Sequence, residues 1–233
     1  MAILYGEDTY SPNLDRKEIK MIYYKDFEFP KSVPYVKGHQ GTFINVPCSF
    51  DIETTSFYFR EEKVCCMYIW QFGFDNTAVY GRTWDELKDW FNILNNRLKL
   101  NEGYKLVVYV HNLGYEFQFL KDRFPVTKLF AREKRKPMYF SIGNLVFKDS
   151  LILSGLSLAK TLEECGSEHA KTDGLDYSKM RHNKTPLTAE EIEYCENDVL
   201  GLNDFIRKEM TKNGDIGKIP TTKTGYVRRY VRD

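Results

Sequence analysis

No two of the five cysteines stand in a CxxC arrangement, and the count is odd. They fall at 48, 65, 66, 165 and 195, and adjacent Cys65 and Cys66 would point to opposite faces of a strand. The pattern argues against a disulfide framework and for reduced thiols. Histidine is scarce too: His39, His111, His169 and His182 show no ligand spacing, which argues against a zinc site. An excess of charge of one sign is missing. Lys plus Arg number 34 against 33 Asp plus Glu, a formal net charge of +1, so a binder that works by bulk basicity is excluded and any nucleic-acid contact must be local. No run approaches the roughly 18 apolar residues of a spanning helix. The opening MAILYGEDTY has neither a basic n-region nor a long apolar stretch. The expectation is a soluble intracellular protein with no membrane partner. Internal repeats and low-complexity segments are also lacking.

What the chain of 233 residues does have is a core's worth of apolar residues, 42%, and a surplus of aromatics, 16 Tyr and 16 Phe. Such a surplus fills cores, and it also suits a surface on which bases stack. Residues 1–45 read as an N-terminal extension, charged and broken by turn signals at Pro12, Pro30, Pro34 and Gly38. From Val46 the pattern alternates β and α. CSFDIET (48–54) has period two, with Phe50 and Ile52 on one face and Asp51 and Glu53 on the other. VCCMYIWQFGF (64–74) reads as an aromatic strand. Thr83 with Glu86 forms a capping-box pair ahead of a helix to Leu98, and LVVYV (106–110) reads as a central strand buried on both faces. A short helix over about 115–124, two strands around Gly143-Asn144 and a helix over about 157–165 follow. Thr188 and Glu191 cap the strongest helix, 188–212, and residues 213–233 read as a linker.

Three acidic clusters carry chemistry. Asp51-x-Glu53 puts two carboxylates side by side on one strand face, costly when buried unless a cation compensates. A bare DxE is more often a solvated face. In the second, Asn112 ends the apolar strand and Glu116 opens the next helix, where α/β proteins place binding groups; a helix-capping role for Glu116 explains it equally well. In the third, Tyr194 and Asp198 are four apart on one side of the 188–212 helix, flanking its apolar stripe. An amphipathic rim would look the same.

Taken together, DxE on an early strand, Asn-x-x-aromatic-acid after a later one, and Tyr-x-x-x-Asp on a C-terminal helix resemble the three exonuclease motifs of the DEDD superfamily. Tyr194 matches its tyrosine branch; the histidine branch would want His at 193, which here is Glu. YVHNLGYEFQFL (109–120), DSL (149–151) and YCENDVLGL (194–202) are similar to motifs in the proofreading domain of family B DNA polymerases, especially the protein-primed polymerases of phages. The resemblance covers about residues 46–210. It implies an α/β fold with a ribonuclease H-like mixed β-sheet flanked by helices, and an exonuclease domain over 46–212. It implies 3′–5′ exonuclease activity on single-stranded or frayed DNA with two divalent ions, Mg²⁺ or Mn²⁺, which suit an all-oxygen site. In that scheme Asp51 bridges both ions, Glu53 and Asp198 hold the one that activates water, Glu116 supports the other, and Tyr194 orients the water. Thr54, Tyr109, Asn112, Tyr115, Phe119, Ser150 and Leu151 would hold the frayed strand.

Three positions depart from the family pattern. Glu116 stands where most members have Asp, one methylene shorter. The catalytic lysine motif has one residue too many in Lys171-Thr-Asp-Gly-Leu175, which makes Lys171 its candidate and a solvated lysine the competing reading. Ser154 replaces a hydrophobic residue after the Ser-Leu motif. No Asp-Thr-Asp of a synthetic site follows the third cluster, so the expectation is either the exonuclease part of a longer polymerase or a free nuclease. The implied partners are a DNA 3′ end, the polymerase region of a longer chain and a primer protein, in the cytoplasm of an infected bacterial cell. The alternatives are a degenerate, non-cutting single-strand binder and a DEDD ribonuclease.

Overall fold

The computed structural model describes residues 21–38, 41–169 and 175–230. Its strands, in chain order, are β1 (Ile22–Tyr23), β2 (Tyr35–Gly38), β3 (Gly41–Ile44), β4 (Cys48–Phe59), β5 (Glu62–Phe74), β6 (Thr77–Gly81), β7 (Tyr104–Val110), β8 (Val126–Glu133), β9 (Lys136–Ile142) and β10 (Leu145–Asp149). The helices are α1 (Trp84–Arg97), α2 (Gly114–Leu120), α3 (Leu151–Ser154), α4 (Leu158–Cys165), α5 (Ala189–Asn213) and α6 (Lys223–Tyr230). Ten strands form one mixed sheet ordered β1-β6-β5-β4-β7-β10-β9-β8, with β3 also pairing β7 and carrying β2 outside it. The β4–β5–β6 meander is antiparallel, and β7 runs parallel to both β4 and β10. None of the helices among the described residues is long and apolar enough to cross a membrane.

Period two on β4 sorts its side chains as the pattern requires. Phe50 and Ile52 enter a large core with Trp70, Phe72, Leu87, Trp90 and Val108 on the α1 side of the sheet. The opposite face of the sheet packs Val107 and Tyr109 against Leu202, Phe205 and Ile206 of α5. LVVYV on β7 is buried on both faces, as a continuous apolar strand in the middle of a sheet must be. Both capping boxes form, Thr83 with Glu86 and Thr188 with Glu191. Gly143 takes φ +57° in the β9–β10 turn, where a side chain would be strained.

Two segments differ from their reading. From Met21 onward the expected extension is woven into the body: β1 pairs β6, β3 pairs β7, and Tyr24, Phe43 and Ile44 are buried. Its turn residues conceal this, because each strand is only two to four residues long, too short to show alternation. The segment read as a linker likewise buries Ile216 and Ile219 against the α5 side of the sheet. A third hairpin strand, β8, is solvent-exposed along most of its length and so lacks the apolar alternation that would mark it.

Helix α5 comes unusually close to the sheet. Ser49 Oγ on β4 donates to the Val199 carbonyl at 2.8 Å, and Asn203 Nδ2 donates to the Asp75 carbonyl at 2.9 Å. A Cβ on Gly73 would lie 2.4 Å from Ser49 Oγ and 2.7 Å from Asn203 Nδ2, so only glycine admits this approach. That contact sets the height of α5 above β4.

Candidate active site

Docked this way, α5 brings Asp198 over the polar face of β4. One carboxylate oxygen each from Asp51, Glu53 and Asp198 lies within 4.8 Å of the others. Glu53 and Asp198 are buried and Asp51 is half-buried. Three carboxylates so close repel one another, and a divalent ion with oxygen ligands offsets that repulsion. A register shift follows Glu53 in the β4–β5 pairing, the kind of irregularity that re-aims side chains beside a site. Gln71, directly across from Asp51 on β5, donates from Nε2 to Asp51 Oδ2 at 2.8 Å.

Glu116 reaches the same centre from the first turn of α2. It is buried and lies close enough to Asp51 for the two carboxyl groups to perturb each other. Burial, then the Asp51 charge, push its carboxyl well above the usual range. Its Oε2 is buried and finds no hydrogen-bond partner among the described residues. An orphaned carboxylate oxygen beside three clustered carboxylates is a donor set that fits hard divalent cations. Tyr194, one turn before Asp198, is buried, and burial and then the Asp198 charge raise its hydroxyl pKa, so it stays protonated. Its hydroxyl lies 3.4 Å from that of Tyr177.

These groups line a cleft of about 1080 Å³. Thr54, Asn112, Tyr115, Phe119 and Leu151 stand on its walls. Tyr115 hydrogen-bonds Thr54 through its hydroxyl at 2.5 Å, its ring centroid 5.3 Å from that of Phe119. Phe119 in turn stacks on Trp84 at 6.3 Å, with Arg123 over the Trp84 ring at 4.3 Å. The result is an aromatic wall beside the acids. Asn112 sits at φ +69°, a left-handed conformation that asparagine tolerates. It is held there by its N–H donating to Asp149 Oδ1 at 3.3 Å, while the Leu151 N–H donates to the same oxygen at 2.8 Å.

Two of the expected strand-holding residues do not reach the cleft. Tyr109 is buried under α5, and Ser150 is fully buried, its Oγ donating to the Val110 carbonyl at 3.1 Å and lying 3.1 Å from His111 Nδ1. Tyr109 packs in the core beneath α5, and Ser150 ties the start of α3 to the end of β7. Lys171 lies outside the described residues. Sequence reasoning did not single out Gln71, Asp149, Tyr177 or Arg181. Gln71 was detectable as the lone amide in an aromatic strand, and Asp149 as the acid that opens DSL. Tyr177 and Arg181 lie in an irregular stretch with no periodicity to mark them. Arg181 Nε donates to Glu191 Oε1 at 3.0 Å, and Arg181 Nη1 donates to the Asp176 carbonyl at 2.8 Å, which ties the Tyr177 loop to α5.

No protein-family model matches the chain, and comparison with curated protein sequences finds no match. Solved structures do match in fold. Phi29 DNA polymerase aligns over 76% of this chain and 32% of its own, with a TM-score of 0.56 and 19% identity. Phi29 DNA polymerase complexed with single-stranded DNA aligns over 73% of this chain and 32% of its own, with a TM-score of 0.54 and 21% identity. The catalytic core of RRP6 from Trypanosoma brucei aligns over 74% of this chain and 43% of its own, with a TM-score of 0.42 and 13% identity. The chain thus spans about a third of the polymerase it matches and has a ribonuclease H-like α/β fold.

Proposed function

We propose that this chain is a metal-dependent 3′–5′ exonuclease that removes nucleotides from single-stranded or frayed DNA, as the proofreading part of a phage-type family B DNA polymerase does. The observation that carries the reading is the cluster of Asp51, Glu53 and Asp198 on the floor of an aromatic-walled cleft, with Glu116 and Tyr194 beside it. Asp51, Glu53, Asp198 and Glu116 would hold Mg²⁺ or Mn²⁺, two ions in the scheme the motifs imply. Such ions stabilise the charge that develops on attacking and leaving oxygens. Tyr194, kept protonated, offers a hydroxyl to orient the attacking water. Tyr115 and Phe119 present faces for unpaired bases, each stack contributing about 1–3 kcal/mol. Thr54 and Asn112 stand where they can meet the backbone of the terminal nucleotides.

The test is incubation of the purified chain with 3′-labelled and 5′-labelled single strands of DNA and of RNA, with Mg²⁺, with Mn²⁺ and with EDTA. Mononucleotides released from DNA 3′ ends only when metal is present are expected. Asp51→Ala is expected to lower that rate by on the order of 10³-fold, the scale of a lost transition-state stabiliser, with the melting temperature held or raised as repulsion is relieved. Binding without hydrolysis in either metal would assign the chain to the non-cutting binders, and release from RNA alone would assign it to the ribonucleases.

A further inference from the structure

A second cleft, of about 960 Å³, opens where β7, β10, β9 and β8 lie side by side. Three lysines from three strands converge on it: Lys105 of β7, Lys148 of β10 and Lys128 of β8. Glu102 is the one acid among its lining residues, and Tyr139 and Ser141 add hydroxyls. Neither Lys128 nor Lys148 makes an ion pair with a described residue. Lys148 lies partly buried with its ammonium 6.0 Å from the centre of the Tyr109 ring.

We infer that this cleft is a second nucleic-acid site, which grips the phosphate backbone of the strand whose end occupies the first cleft. Several features beyond the lysine count favour this. Removal from water lowers the Lys148 ammonium to about 8, and desolvation with the neighbouring Lys128 charge lowers that of Lys105. A chain that needed only packing here would use an apolar residue; convergent cations are relieved by a bound anion. Strand β10 and the start of α3 also run from one cleft to the other. Val146 and Lys148 line the second, and Leu151, three residues on, lines the first. Three residues span at most about 11 Å, which sets the Lys148-to-Leu151 backbone separation within the length of a short oligonucleotide. Lysine reads phosphate as a point charge, which predicts binding without sequence preference. That the occupant is the same strand rests on the nuclease reading; that the cleft takes a polyanion does not.

The experiment compares the unmodified protein with a Lys105→Gln/Lys128→Gln/Lys148→Gln variant, by fluorescence anisotropy in EDTA across a salt series. The probes are a trinucleotide, long enough for the first cleft alone, and a 16-nucleotide single strand. The variant is expected to bind the long strand at least about tenfold more weakly at low salt. Its log–log salt slope should be shallower by about 2, from about 0.7 per lost phosphate contact. Trinucleotide binding, and its hydrolysis in Mn²⁺, should be unchanged, which also shows that the variant folds. An unchanged affinity and slope for the long strand would overturn the inference and leave the nuclease reading standing. Loss of long-strand binding in a protein that hydrolyses neither probe would overturn the nuclease reading and keep the cleft as a polyanion site. A polyglutamate peptide that binds more tightly than the long strand, and is weakened by the same substitutions, would assign the cleft to an acidic protein segment and overturn the nucleic-acid assignment.

Discussion

Buried carboxyl groups usually have a partner for each oxygen, whereas Glu116 has Asp51 on one side and none among the described residues for Oε2. A helix-capping role explains an acid in the first turn of α2, an effect of about 0.3–1 kcal/mol, but not its burial among other acids. The two roles separate on substitution. If Glu116 supports a metal, Glu116→Gln keeps the shape and is expected to cut turnover by on the order of 10²-fold or more without lowering the metal-free melting temperature. Glu116→Asp should retain part of the activity, limited by reach. Turnover at saturating Mg²⁺ and thermal midpoints for both variants check this; losses that follow stability alone would assign Glu116 to the helix. Lys148 gives a residue-scale prediction with a pH sign. Its folded pKa of about 8 lies below the ordinary 10.5, so between those values the unfolded chain holds the proton that the folded one has lost. Stability contributed by this group therefore rises with pH from about 8 to 10.5 and is lowest below 8. Lys148→Met is expected to melt higher at pH 7 and to lack that rise, as read by thermal melts across the range.

At the scale of elements, the site depends on how α5 is held. Its apolar stripe fixes which side meets the sheet, and its middle is set by Gly73, Ser49 and Asn203. Its N-terminal end is fixed by Arg181, whose guanidinium is buried against Glu191 and also donates to the Asp176 and Lys179 carbonyls. Removing one member of a buried pair leaves the other charge uncompensated, at a cost of about 3–5 kcal/mol. Arg181→Leu is expected to show a loss of that size in denaturant unfolding, and Arg181→Leu/Glu191→Leu to recover part of it. Because the same arginine anchors the loop bearing Tyr177, activity in the single variant should fall further than the folded fraction does. Equal falls would confine Arg181 to a structural role.

For the whole molecule, the boundary at residue 46 is the decisive question. Tyr24 is buried beside Trp70, Phe27 and Phe29 pack around Trp90, and Ile44 belongs to the main core. Emptying one large aromatic site costs about 3–5 kcal/mol, and a domain of this kind has about 5–15 kcal/mol in all. A chain starting at Val46 is therefore expected not to fold cooperatively, which calorimetry or near-ultraviolet circular dichroism reads directly. A sharp transition in that truncated chain would restore the reading of 1–45 as an extension.

Sequence by itself determined the features that local chemistry controls. Period two on β4 separated Phe50 and Ile52 from Asp51 and Glu53, the paired Thr–Glu caps placed the starts of α1 and α5, and Gly143-Asn144 marked a turn. The spacing of Tyr194 and Asp198 put both on one side of α5 because a helix turns every 3.6 residues. Tertiary structure alone decided what depends on distant partners. It brought the short strands of residues 21–44 into the sheet, and it set Gln71 against Asp51 through register. It also turned Tyr109 and Ser150 inward and drew lysines 105, 128 and 148 to one cleft. Local patterns report which face a residue shares with its neighbours; only the packing of elements far apart in the chain settles whether that face meets core, solvent or another charge.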